Sequence, residues 1–190
     1  MVTQIYSERL MLRIINKNDV SDKYIGWLND PDVNRYLETR FSPQTKESCE
    51  CFVEMTDADP DSYLFGMFDK TTSAHIGNIK LGFIKKNHKS AQLSLFIGQK
   101  NYWGKGYATE SIRRVTQWGF DFIGLKRIEA GCYDSNLGSL RAFLKVGYTV
   151  EGFQRNSVES NGQRIGCFNL AILDSDCLKP LHCSQPLVSQ

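Results

Sequence analysis

The stretch QLSLFIGQKNYWGKGYATESIRRVTQWGFDF, Gln92 to Phe122, decides how the rest of the chain is read. It opens as a strand, with Leu93, Leu95 and Ile97 two residues apart. A polar turn leads to Trp103-Gly104-Lys105-Gly106. The apolar positions beyond it, Ala108, Ile112, Val115, Gly119 and Phe122, follow in steps of 4, 3, 4 and 3, one buried face of a helix. A strand that ends in a two-glycine turn opening a helix leaves backbone N–H groups unpaired at the positive end of that helix. Such an end is an anion site, with phosphate as the usual guest. Gly104 and Gly106 carry no Cβ to hold a ligand off the backbone. Two phosphate motifs fail. The P-loop needs Lys and Ser/Thr after its last glycine, where Tyr107 and Ala108 stand. The dinucleotide fingerprint needs a third glycine where Thr109 stands.

Working outward, Asn101-Tyr102-Trp103-Gly104-Lys105-Gly106 resembles the pyrophosphate loop of the GNAT superfamily of N-acetyltransferases, Gln/Arg-x-x-Gly-x-Gly/Ala. Asn101 departs from the first position, which touches one side-chain contact of a grip made mainly by backbone. The longer string Tyr102 to Glu110 is similar to the branch holding ribosomal-protein N-terminal acetyltransferases and bacterial amino-sugar acetyltransferases. Ser7-Glu8-Arg9-Leu10 and Leu12-Arg13 look like the usual opening of that branch.

The remainder of the chain agrees with one soluble domain. Its 190 residues suffice for a full core, and 41% hydrophobic and 23% charged residues describe an ordinary globule. A net charge of +2 with no basic block argues against a nucleic-acid partner. No apolar run reaches the ~18 residues of a membrane span, and the first residues lack the form of a signal peptide, so no membrane association and a cytoplasmic location are expected. The six cysteines contain no C-x-x-C pair and are read as free thiols. The spacing of Cys177, His182 and Cys183 does not suit a metal site, so no metal is expected.

The pattern predicts a strand at 9–14, a helix capped by Asn18 or Asp19 and running to about Leu28, a short helix from Pro31 and a third from Pro43. Strands at 62–68 and 76–84 follow, then the organising strand and helix. A strand at 127–133, a helix from Asn136 to Gly147 and two closing strands, 148–153 and about 164–173, complete the order. The class is α+β, a mixed, mostly antiparallel sheet flanked by helices. That order is the order of the GNAT acyl-CoA N-acyltransferase fold. The resemblance implies a single N-acetyltransferase domain over residues 1–174, with 175–190 expected as a tail.

The resemblance implies acetyl-CoA as co-substrate, without metal, and an amine acceptor. It assigns the phosphates to the backbone of Trp103, Gly104, Lys105, Gly106, Tyr107 and Ala108, with a hydroxyl from Thr109. It places Phe96, Ile97 and Gly98 on a strand that splays from its neighbour to admit the pantetheine. Asn136 and Ser139 match an Asn-x-x-Ser pattern that serves the pantetheine arm and the CoA sulfur; helix capping is the plain alternative for Asn136. Many relatives carry a tyrosine four residues before the glycine ending this helix and a glutamate near the start of the loop's strand. Phe143 and Gln92 stand there, and neither can exchange a proton. Ser139 and Tyr133 remain as catalytic candidates. Glu129 and Tyr133 also have bland readings, a solvent-facing carboxylate and a core aromatic, and His75 and His88 read as surface residues.

For the acceptor, Trp27, Asn29, Arg35, Tyr36, Glu38 and Arg40 offer more hydrogen-bonding capacity than packing needs, though Trp27 also suits a core. Arg155 and Arg164 could meet a diphosphate or simply be solvated. The expected acceptor is a small-molecule amine, first a nucleotide-linked amino sugar; the alternatives are a protein N-terminus, as in ribosomal-protein acetylation, and a CoA-binding module without catalysis. Homodimers are common in the superfamily, so a homodimer is among the implied states.

Overall fold

A computed structural model describes residues 4–176 and 178. Cys177, His182 and Cys183 lie outside the described residues, as does most of the expected tail. The last strand ends at Leu173, and we propose the boundary of the domain there.

Eight strands form one sheet: β1 (Gln4–Tyr6), β2 (Leu10–Ile14), β3 (Tyr63–Asp69), β4 (His75–Lys85), β5 (Ser90–Ile97), β6 (Arg127–Tyr133), β7 (Thr149–Ser160) and β8 (Gln163–Leu173). Their spatial order is β1-β2-β3-β4-β5-β6-β8-β7. Every neighbouring pair is antiparallel except β5 and β6, which run parallel. That parallel step requires a crossover, and α4 (Tyr107–Trp118) supplies it. The other helices are α1 (Asp22–Asn29), α2 (Pro31–Asn34), α3 (Lys46–Ala58) and α5 (Leu137–Val146).

Strand alternation sends side chains to two cores. Leu10, Leu12, Phe65 and Met67 join Ile112, Val115 and Trp118 of α4 and Ala142, Phe143 and Val146 of α5. On the opposite face Leu64 and Phe68 join Tyr24, Trp27 and Leu28 of α1, Val33 of α2, and Cys49 and Val53 of α3. Each such buried large side chain contributes about 1.5–3 kcal/mol.

Side-chain acceptors start most helices. Ser21 caps α1, Asp30 caps α2 ahead of Pro31, and Thr45 forms a reciprocal capping box with Ser48 on α3. The expected cap at Asn18 or Asp19 is thereby corrected. Lys17–Asp19 is a separate 3-10 turn, in which Asp19 is drawn away to Arg13. β1 was not expected; its Gln4–Tyr6 is too short for a periodic pattern and is held by pairing with β2. The expected helix to Phe122 changes at Gly119 into a π-helical turn, Gly119–Ile123, closed by Gly124 at φ 75°. A Cβ on Gly119 would lie 3.0 Å from Ile128 Cδ1, so glycine is what lets the helix end approach β6.

Candidate active site

β5 and β6 are paired over only Ser90 with Arg127, Ala91 with Ile128 and Gln92 with Glu129. Beyond that point β5 stays with β4 as far as Ile97 opposite Gly77, while β6 stays with β8 as far as Tyr133 opposite Cys167. The strands part, and backbone that a continuous sheet would pair is left facing a cleft. At the far end of β5 some groups are already engaged. The Trp103 indole donates to the Ile97 carbonyl at 2.8 Å, and the Gly98 N–H donates to the Ile76 carbonyl at 2.9 Å. Ile97 and Gly98 are among the residues expected to serve the cofactor, and these two backbone groups have partners within the chain. Gly98 is obligatory for a different reason: a Cβ there would fall 2.1 Å from the Trp27 ring.

The loop after β5 has the geometry of an anion cradle. Gly104 and Gly106 have φ of 72° and 84°, conformations costly for side chains other than glycine. Gly106 caps α4 with no side-chain acceptor, so the first N–H groups of the helix remain unbonded. The Lys105 carbonyl is turned the other way, accepting from Arg9 Nη1 at 3.0 Å. Below the loop, Glu110 is only 5% exposed. It accepts from Ser7 Oγ, Arg9 N and Arg9 Nε, each at 2.7 Å. Tyr107 lies beneath the Arg9 guanidinium at 4.1 Å and donates its hydroxyl to Asp69 at 3.2 Å. Thr109, expected to add a hydroxyl, is 7% exposed.

On the other side of the cleft, Asn136 caps α5, its side chain accepting from the Ser139 N–H at 3.2 Å. Ser139 Oγ lies 3.4 Å from Cys132 Sγ, and burial pushes the Cys132 thiol up to about 11. Phe143 is 1% exposed and meets Tyr148 edge-on at 4.9 Å, within the core between α4 and α5. Burial, then a hydrogen bond to Glu38, raises the Tyr133 phenol above its ordinary range. Its hydroxyl donates a hydrogen bond to Glu38, and Arg40 Nη1 donates to its oxygen at 3.3 Å.

The residues expected to meet the acceptor divide. Tyr36 and Arg40 gather round Tyr133. Tyr36 donates to the Ser135 carbonyl at 3.1 Å, and Arg40 Nη2 donates to the Glu159 carbonyl at 2.7 Å. Arg35 is exposed with its guanidinium over Tyr36. Asn29 spends its amide on Gln44, donating to its carbonyl at 2.8 Å and accepting from its N–H at 2.8 Å. Trp27 is buried among Tyr24, His75 and Phe96. Both side chains make their contacts within the fold. His75, expected at the surface, is stacked on Phe68 at 4.7 Å, and burial lowers its basicity. Arg155 and Arg164 are exposed on the closing strands.

A trough of about 560 Å³ lies where β5 and β6 separate, lined among others by Gln92, Arg127, Glu129, Gly131, Glu151 and Asn169. A smaller recess of about 150 Å³, between Lys80, Phe83, Gln92, Ser94 and Gly131, adjoins it. Arg127 Nε donates to Glu129 at 2.8 Å and Arg127 Nη1 to Glu151 at 2.8 Å, which fixes both carboxylates at the trough wall. Glu129 therefore faces this trough beside Gln92. Its neighbours on β7 and β8 are too far along the chain for sequence spacing to have indicated the grouping. Among the described residues no cluster suits a metal ion, and no helix is long and apolar enough to cross a membrane.

The sequence model of the acetyltransferase (GNAT) domain matches residues 9–149. The uncharacterized N-acetyltransferase YoaA of Bacillus subtilis is 30% identical over 162 residues, 82% of this chain and 88% of that protein. The spermidine N(1)-acetyltransferase of Escherichia coli is 24% identical over 173 residues, 88% of this chain and 87% of that protein. The crystal structure of spermidine N-acetyltransferase from Vibrio cholerae, in complex with CoA and spermine, superposes with a TM-score of 0.79 at 22% identity. It covers 88% of this chain and 96% of that one, and the fold is shared.

Proposed function

This chain belongs to the acetyltransferase (GNAT) family and is an acetyl-CoA-dependent acetyltransferase, and from that premise we propose that it acetylates the primary amine of a small molecule by direct attack in a ternary complex. The observation that carries the reading is the parting of β5 and β6 after Gln92 and Glu129, between the loop at the head of α4 and the trough. Acetyl-CoA supplies an activated acyl thioester. The unbonded N–H groups from Gly104 to Thr109 suit its pyrophosphate, and the edges of the cleft suit its pantetheine arm. Asn136 stands where its amide nitrogen can serve that arm while its oxygen caps α5. Holding both reactants in one cleft replaces a collision by a fixed approach.

Of the trough's carboxylates, Glu129 is the one in register with Gln92 at the apex. It receives the ammonium proton, directly or through water, before the amine attacks. Ser139, at the head of α5, is better placed than Tyr133 to meet the departing thiolate, because the Tyr133 proton is engaged by Glu38.

The trough is walled by Glu129 and Glu151 with Arg127 between them, one carboxylate in excess, and by amides and glycines, with no aromatic platform among its lining residues. That chemistry favours a simple amine or polyamine, as in the relatives named for spermidine. A nucleotide-linked amino sugar is the second reading, favoured by the exposed Arg155 and Arg164 on the closing strands. The test is initial-rate kinetics with acetyl-CoA against spermidine, a nucleotide-linked amino sugar and an N-terminal peptide. Intersecting double-reciprocal lines with one of the first two are expected. Parallel lines would exclude the ternary complex, and turnover of the peptide alone would exclude the small-molecule acceptor.

A further inference from the structure

We infer that Arg9 and Glu110 are positioning residues that keep the loop at the head of α4 competent for phosphate. This rests on the reading of that loop as the pyrophosphate site. Glu110 lies in the first turn of α4 and is buried. A carboxylate there is drawn to the positive helix end, the same end a phosphate would use, so it is both a stabiliser of the helix and a competitor of the ligand. The structure removes the competition. Both Glu110 oxygens are committed to the N-terminal segment: Oε1 to Ser7 Oγ and Arg9 N, and Oε2 to Arg9 Nε and Nη2, each at 2.7 Å. The pair is charge-neutral and planar on the arginine side, a geometry that lysine cannot copy.

Arg9 also acts on the loop itself. Its Nη1 holds the Lys105 carbonyl at 3.0 Å. In a trans peptide the following N–H points opposite to that carbonyl. Fixing Lys105 O onto Arg9 therefore turns the Gly106 N–H away from the arginine, toward the open side of the loop. The guanidinium is wedged there, 4.1 Å above the Tyr107 ring and with Nη2 3.5 Å from where a Gly106 Cβ would stand. Its side chain is still 39% exposed, so its charge reaches the loop surface. Arg9 thus neutralises the resident carboxylate and aims the donors; neither residue touches the reacting atoms.

The experiment is calorimetric titration with CoA and with pantetheine, which lacks the phosphates. It uses the wild type, Arg9→Gln, Arg9→Lys and the double variant Arg9→Gln/Glu110→Gln. Arg9→Gln is expected to lose about tenfold of the preference for CoA, the worth of one charge-assisted hydrogen bond, and to keep its pantetheine affinity. The double variant is expected to recover much of that loss, because the freed carboxylate is gone. Arg9→Lys should fall between wild type and Arg9→Gln, and carries the test if Arg9→Gln does not fold. A double variant no better than a folded Arg9→Gln would overturn the proposal, leaving a purely structural clamp, and so would an Arg9→Lys protein with undiminished preference. A wild type that binds CoA no better than pantetheine would instead sink the phosphate-loop reading itself.

Discussion

The helices that follow the two parallel strands begin in opposite ways. α5 opens on Asn136, whose side chain accepts from the Ser139 N–H. α4 opens on Gly106 at φ 84°, with no side-chain acceptor at all. The other α-helices resemble α5 in this respect, being capped by Ser21, Asp30 and Thr45. With glycine at the cap position, the missing side-chain bond costs only about a few tenths of a kcal/mol. An uncapped start is therefore tolerated where the free N–H groups have another use. Here the uncapped end is the one beside the cleft, propped by Arg9, Glu110 and Tyr107.

The sharpest way to break this contrast is Gly106→Pro. Proline fixes φ near −65°, incompatible with 84°, so CoA binding measured by calorimetry should disappear while far-UV circular dichroism stays close to wild type. Retained affinity would mean that the bare start of α4 holds nothing. Next comes the support beneath the loop's strand. Trp27→Ala opens a cavity over Gly98 and should cost about 3–5 kcal/mol in urea unfolding. A stable variant with a raised acceptor KM would return Trp27 to the pocket. Phe143→Tyr probes the capped side. Placing a hydroxyl in the packed space beside Tyr148 should cost about 1–3 kcal/mol, with turnover retained, and a stable but inactive protein would assign Phe143 a part in the chemistry. The finest cut is at Asn136. Replacement by Ala should cost about 1 kcal/mol and by Asp almost nothing. Both should raise the KM for acetyl-CoA, since both remove the amide donor; an unchanged KM with Asp would leave Asn136 as a cap alone.

The strand, glycine turn and helix around residues 92–122 were legible because period and punctuation are local properties of a chain. β6 falls at 127–133 as its pattern predicts, and β5 extends two residues earlier than expected. Order across the sheet is another matter. That β8 lies between β6 and β7 follows from long-range pairing with no local signature. The site divides in the same way. Gly104 and Gly106 could be read as loop glycines from their neighbours, but the partner of Glu110 is 101 positions away. His75 was misjudged, and the core reading of Trp27 left open, for a related reason. A histidine beside a turn, or a tryptophan within a polar cluster, reveals its burial only once β4 and α1 are stacked.

The brief pairing of β5 with β6 also bears on how the molecule opens. β2 to β5 hold together through longer antiparallel ladders, with β1 joined to β2 over Gln4–Tyr6, and β6, β8 and β7 do likewise, yet the two groups share backbone pairing over only Ser90–Gln92 and Arg127–Glu129. This seam is where the sheet's backbone pairing is thinnest, the two units being joined otherwise by the side-chain core under α4 and α5. A ligand lying along it makes contacts that neither unit has alone and acts as a removable length of sheet. At a hundred times its dissociation constant it would add about 2.7 kcal/mol against opening. Protection of the β6–β8 amides would then rise with bound acetyl-CoA, so that occupancy of the cleft can be read from the rate at which the sheet opens.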